Sequence, residues 1–468
     1  MRLEPPYADE SLVFADTALG GLLLAAGELL YKPHVKPTDD LDVMANLVAE
    51  FLPTYEITSI TVPLMLFLRF YIFLTVIIPQ LPDNLKTFDV NARFEQHVGF
   101  PLKRYSQFIF AFIMHAMIER NHPVGAPIGG ALRTSWFKNS SVPIEQISQM
   151  FDTVSFSLSD LPDKRAPIGY GDFESLRDRP YFKHDTGMYS LDYEYAVAKL
   201  ESAALWRVLR NLDSNERLPY LSFWGSVFET YVAWLFDTYA NKRLNVFYPS
   251  PMYKHEKERP ICDAVVVCGY TAVLVEVKLA TCSAIVRYSG DHKKFRQYLE
   301  DRLVTGTNRL VGVSQLVLAA ETLTTLPDTA KPAFLRNVTK FVPLIVTKDE
   351  IGSSWVTNTY LNARFGQKLD QKKCRPYTIT PLVSMSVSTL ERSLAALSKH
   401  AFNDILEDRI RRDHKLGRPF EAASAYVHPG PARGAFKHDE IMETLSNELI
   451  TDLGVTDEPA PTPGTTSS

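Results

Sequence analysis

The sequence predicts an α/β core, a mixed sheet flanked by helices. A large, mainly α-helical N-terminal domain precedes it and an α+β extension follows. Three observations carry this expectation. Residues 1–215 place apolar residues at helical spacing. The stretch Ile261–Lys278, ICDAVVVCGYTAVLVEVK, holds two short apolar runs around a Cys-Gly-Tyr turn. Charged helical segments and a further apolar run, Phe341–Thr347, come after it. The expected division is a helical domain over 1–215, the α/β core over 216–350, an extension over 351–455 and a disordered tail over 456–468.

In the N-terminal half, Ala15–Leu30 is apolar, and Asp39–Phe51 and Arg104–Arg120 show helical periodicity. Asn121–Arg133 is Gly/Pro-rich and reads as a loop, Pro162–Pro180 as irregular, and Tyr195–Asn211 as a helix. His115 and His122 lack metal-ligand spacing. Nothing in this half points to a chemistry, so sensing, oligomerisation or contact with a partner protein is the expected role. Ser59–Pro79 is long enough to span a bilayer. Arg69 at its centre would cost roughly 2.5–3.5 kcal/mol there, and no polybasic flank sets an orientation. The segment is therefore read as a core helix in which Arg69 meets an acidic partner.

In the second unit, Leu218–Tyr239 is apolar on all sides of a helix, with Glu229 its one internal charge before Asp237. Leu244–Tyr248 reads as a first strand, and the two runs of Ile261–Lys278 as a buried hairpin turning at Gly269. Helices are expected over Asp291–Leu303 and Asn308–Leu323, then a strand over Phe341–Thr347. Beyond these, Tyr377–Val387 reads as a strand. Leu390–Arg412 reads as a helix with a basic end at Arg409, Arg411, Arg412, His414 and Lys415, a solvated helix end with a phosphate-binding patch as the alternative.

The charges in the hairpin carry the chemistry. Asp263 opens the first run, and Glu276 and Lys278 share one face at the end of the second. Burying such groups costs several kcal/mol each unless they are paired or bound to a metal. A divalent cation held by Asp263 and Glu276, with Lys278 beside it, removes that cost. Deleting one of two like charges, as in Asp263→Ala, would then relieve repulsion in the metal-free protein. The formal net charge of −4 excludes a globally basic nucleic-acid binder and calls for a local basic face instead. The four cysteines form no CxxC pair and read as reduced core thiols of a cytoplasmic protein.

The pattern Asp263, then twelve residues, then Glu276-Val277-Lys278 resembles the PD-(D/E)xK nuclease superfamily, the restriction-endonuclease-like fold. The proline that usually precedes the aspartate is absent, the sequence reading Pro260-Ile261-Cys262-Asp263. The order helix, three strands, helix, strand over about 219–348 also resembles that superfamily's core. The resemblance implies Mg²⁺, with Mn²⁺ as a substitute, held by Asp263, Glu276 and the Val277 carbonyl. Glu229, in Gly225-x-x-Phe228-Glu229, would add a metal contact from the preceding helix. Lys278 would orient the attacking water or stabilise developing charge. Gln315 would face the site, with Gln297 as its competitor. Lys293, Lys294, Arg296 and Arg302 would contact a phosphate backbone. The implied activity is hydrolysis of nucleic acid, DNA favoured, of the kind used in bacterial antiphage defence. The rival readings are a non-catalytic nucleic-acid- or protein-binding module on the same fold, and a membrane-anchored effector.

Overall fold

The computed structural model describes residues 63–120, 132–138, 140–160, 177–184, 187–191, 193–254, 258–280, 282–287, 289, 291–306, 310–416, 438–448 and 451. The expected helices at Ala15–Leu30 and Asp39–Phe51, nearly all of the Asn121–Arg133 loop, most of Pro162–Pro180 and the C-terminal tail lie outside them.

Helix α1, Pro63–Ile72, runs into a π-helical turn at Phe73–Ile77. Phe67, Leu68, Phe70, Ile72 and Phe73 are all buried. Their cover is protein: Phe70 and Phe73 pack against Trp224, with ring centroids 5.2 and 6.4 Å away. Arg69 is 2% exposed and finds the acidic partner its sequence context demands. Its Nε and Nη2 donate to the two oxygens of Glu391, each at 2.7 Å, and Nη2 also donates to Ser388 Oγ at 2.6 Å. Tyr231 donates its hydroxyl to the same carboxylate at 2.7 Å. Among the described residues no helix is long and apolar enough to cross a membrane.

Helix α2, Val90–Val98, starts at Asp89, whose carboxylate accepts from Ala92 N, and stops at Gly99 with φ +87°. Helices α3, Leu102–Arg120, and α4, Ile144–Val154, follow. A small sheet of β1, Ser155–Phe156, β2, Tyr181–His184, and β3, Gly187–Ser190, was not expected in this mainly helical half. Runs of two to four residues are too short for alternation to register. The expected Tyr195–Asn211 helix is present as shorter pieces, with a π-helical stretch at Ser202–Arg207.

Lys199 lies just before that stretch and is 1% exposed, 3.6 Å from the Asp178 carboxylate. Burial lowers its pKa to about 8, against the attraction of Asp178. A lowered folded-state value means the folded chain releases the proton first. The cost to stability is therefore complete below about pH 8 and disappears as pH rises toward the ordinary value of 10.5. Asp178 keeps Arg210 at 3.2 Å if Lys199 is removed. Lys199→Met is accordingly expected to stabilise the protein at pH 7 by about 1–3 kcal/mol, with the advantage shrinking by pH 10. Urea unfolding of both proteins at the two pH values checks it, and a variant less stable than wild type at pH 7 contradicts it.

Helix α5, Ser214–Tyr239, is the element that joins the two halves. Tyr220, Trp224, Val227, Phe228, Tyr231 and Leu235 are all buried. They belong to one apolar cluster that runs from Met65 through α5 to one face of the main sheet and on to Leu406. A helix covered on both sides explains why apolar residues occur all round it.

The main sheet contains β4, Val246–Pro249, β5, Ala264–Cys268, and β6, Thr271–Lys278. These three are antiparallel, and the β5–β6 turn places Gly269 at φ +60°. A small side hairpin, Met252–Lys254 with Glu258–Pro260, is inserted before β5. Helices α6, His292–Leu299, and α7, Gly312–Thr325, lead to β7, Lys340–Thr347, which pairs with β6 in parallel. Helix α8, Trp355–Lys368, leads to β8, Val383–Ser386, parallel on the far side of β7. Thr378–Ile379 forms a second short bridge to β7. The sheet is thus mixed and flanked by helices, as expected, and it takes in strands beyond residue 350. Val273, Val275 and Val277 face the α5 side, whereas Ala272 and Leu274 face α6 and α7.

Two expectations need correction. The strand read over Tyr377–Val387 is two short strands, because Thr380, Pro381 and Leu382 interrupt the ladder. The helix read over Leu390–Arg412 is three pieces: α9, Val387–Arg392, then Leu394–Leu397, then α10, Phe402–Leu416. Nor is all of its basic end solvated. Arg409 is buried and donates from Nη1 to the Ser384 carbonyl at 2.7 Å, tying α10 to β8.

Candidate functional site

Register alone brings the hairpin charges together. The antiparallel pairing Ala264↔Val275 sets Asp263, one step outward, opposite Glu276. Lys278 lies two residues further along β6, on the same face. The neighbouring strand β7 holds this end of β6 in place through Glu276↔Ile345 and Lys278↔Thr347.

The geometry follows. Lys278 Nζ donates to Glu276 Oε2 at 2.5 Å and to Asp263 Oδ2 at 3.1 Å. Two oxygens within reach of one ammonium are close enough to share one cation. Asp263 Oδ2 also accepts from Val277 N at 2.8 Å. Glu276 is fully buried, and its Oε1 has no hydrogen-bond partner among the described residues. Burial, then Asp263, pushes the Glu276 carboxyl up to about 8 despite Lys278. For Lys278, burial works against the charged form, but Glu276 and Asp263 outweigh it and the pKa is raised. The upward direction for Glu276 agrees with its unpartnered Oε1, which no donor among the described residues stabilises as a carboxylate oxygen.

Glu229 approaches from α5. More than a third of the residue is exposed, yet its carboxyl is pushed up to about 7, by desolvation first and then by Asp263.

The Asp263 geometry changes one expectation. Its carboxylate does feel Glu276, but it also satisfies Val277 N–H and Lys278. Asp263→Ala is therefore expected to destabilise the metal-free protein by about 1–3 kcal/mol rather than relieve it, through the N–H it leaves unsatisfied. Urea unfolding in EDTA measures this; a variant as stable as wild type restores the repulsion argument.

The remaining sequence candidates are placed as follows. Val277 contributes its N–H, and its side chain enters the core on the α5 side. Gln315 lies on α7, where its Oε1 accepts from Gly312 N at 2.9 Å and caps its own helix. Gln297 donates to Asp301 at 2.9 Å in an exposed pair. Lys293 is exposed, and Lys294 sits 3.9 Å from Asp291 at the solvated start of α6.

Other charges next to the site escaped sequence reading. Lys348 N donates to the Lys278 carbonyl at 3.1 Å, and its ammonium pairs with Glu201 from the N-terminal half. Asp349 accepts from Arg287 at 2.5 Å and from Cys282 N at 3.2 Å. The signal was the run Lys348-Asp349-Glu350 directly after an apolar strand, since charges at the carboxyl end of a buried strand need partners.

Among the described residues, no group of three or more His, Cys, Asp and Glu is arranged to hold a metal. The Asp263–Glu276 pair still fits a hard cation that takes one or two carboxylates and keeps waters, as Mg²⁺ does. The orphaned Glu276 Oε1 is the observation that favours it. A cleft of about 430 Å³ lies elsewhere, among residues of the N-terminal half. The site at the end of β6 rests on its chemistry and not on concavity. Comparison with protein-family models, curated proteins and solved structures returned no match to this chain.

Proposed function

We propose that the chain is a metal-dependent phosphodiesterase acting on nucleic acid, with DNA the favoured substrate, and that Asp263, Glu276 and Lys278 form its reacting centre. The observation that carries this reading is two carboxylates and a lysine converging at the carboxyl end of a buried strand, with one buried carboxylate oxygen unpartnered. A divalent cation bound there would supply a water of lowered pKa and neutralise phosphate charge. Asp263 and Glu276 would hold that cation, with Glu229 reaching it directly or through water. Lys278, displaced from between the carboxylates, would stabilise charge developing on the phosphate oxygens. The sheet below keeps the two acids in register with each other. The setting we favour is bacterial antiphage defence, by analogy of architecture alone.

A second reading has its own support. Lys278 already pairs with both carboxylates within the protein. A non-catalytic binding module on the same framework would retain such a triad as structure. Incubation with plasmid, linear DNA and RNA, each with Mg²⁺ and with EDTA, separates the two. Cleavage that EDTA abolishes is the expected result; no cleavage of any substrate in Mg²⁺ or Mn²⁺ would leave the binding module in front.

A further inference from the structure

The cleft of about 430 Å³ is lined by Gln149, Asp152, Thr153, Asp178, Arg179, Arg207, Arg210 and Asn211. That volume lies in the range of small-molecule sites, about 300–1,000 Å³. The two acids on its walls are already engaged. Asp152 accepts from Lys183 at 2.5 Å, and Asp178 is held by Arg210 at 3.2 Å and faces Lys199 at 3.6 Å. The guanidinium groups of Arg179 and Arg207 make no hydrogen bond or ion pair among the described residues; Arg179 has a longer-range attraction to Asp160, and Arg207 to Asp178. Arg207 is half-buried and closes the π-helical stretch Ser202–Arg207. A π-helical turn is a costly departure from the α-helix that recurs at functional sites. Behind the wall, buried Lys199 adds a further positive charge, and Arg207 and Arg210 both press its pKa downward. Such crowding of cations is what an incoming anion relieves.

We propose that this cleft binds a phosphorylated small molecule of nucleotide size, its phosphate held between Arg179 and Arg207. The planar guanidinium fork matches phosphate oxygens in pairs. Gln149, Thr153 and Asn211 supply neutral donors and acceptors for the remainder of the ligand. The cleft shares no lining residue with the Asp263–Glu276–Lys278 cluster, so its occupancy can be read by binding alone, whether or not the chain cleaves nucleic acid.

The test is calorimetric titration of the full chain in EDTA with ATP, AMP, pyrophosphate, inorganic phosphate and adenosine. The phosphorylated probes should bind and adenosine should not. Arg179→Gln and Arg207→Gln should each weaken binding about tenfold or more, the effect of losing a charge-assisted hydrogen bond. Arg179 is exposed, so its variant keeps the test valid if Arg207→Gln folds poorly. Inorganic phosphate should bind more weakly than the nucleotides; phosphate binding as tightly as they do would overturn the nucleotide-sized ligand. Adenosine binding as well as AMP, no binding by any phosphorylated probe, or wild-type affinity in the Arg179→Gln protein would overturn it.

Discussion

Lys278→Ala is expected to lower cleavage by roughly 10²–10³ while leaving divalent-metal binding in place. The magnitude is that of losing one preorganised electrostatic stabiliser. The direction follows from the geometry. Among the described residues Lys278 is the one side chain that bonds both Asp263 and Glu276, and removing it deletes no acidic ligand. Without its ammonium the two carboxylates repel each other more, so a divalent cation should bind at least as well as in wild type. Calorimetric Mn²⁺ titration and a plasmid-cleavage time course on the same preparation test both halves. A variant that cleaves at the wild-type rate removes Lys278 from the reaction. A variant that loses metal binding makes Lys278 a structural support instead.

Glu391→Ala is expected to destabilise the protein by about 3–5 kcal/mol, the cost of leaving a buried charge unpaired. Arg69 and Glu391 are each 2% exposed at the side chain and bond bidentately, 322 residues apart in sequence. Desolvation opposes the charged guanidinium, but Glu391 overcomes it and raises the Arg69 pKa, so the guanidinium stays charged. Removing Glu391 also strips Tyr231 of the acceptor for its hydroxyl. A double variant, Arg69→Met with Glu391→Leu, should recover most of the loss, since apolar replacements of a buried pair are often neutral or better. Urea unfolding of the three proteins measures this. A loss below about 1 kcal/mol in Glu391→Ala would mean that water reaches the pair once Glu391 is gone.

The sheet's centre was legible because its signals are local. Two apolar runs about Gly269 set the hairpin, and alternation set Glu276 and Lys278 on one face. That Asp263 lies opposite Glu276 came only with the register of the two strands. Arg69 was legible as a demand for a carboxylate, though not for Glu391 in particular, because a pairing across 322 residues leaves no trace in spacing. The same limit hid the Glu201–Lys348 and Arg287–Asp349 pairs. Gln315 was read as a site residue through the resemblance of Val313-Ser314-Gln315-Leu316 to the helix that follows the Glu-x-Lys strand in the PD-(D/E)xK superfamily. Its position near the helix start is also what lets it cap Gly312. The break between α9 and α10 was missed because Leu390, Leu394, Leu397 and Phe402 remain buried across it. Periodicity reports burial, and burial continues through the break.

The central claim is that Asp263 and Glu276 hold a divalent cation that cleaves phosphodiesters. A plasmid-relaxation time course in Mg²⁺ with wild type and Glu276→Gln tests it most directly. The substitution is nearly isosteric and removes only the charge of a fully buried ligand. Loss of Mg²⁺-dependent relaxation in Glu276→Gln, beside active wild type, is the predicted result. Equal relaxation by the two proteins, or none by wild type, would contradict it.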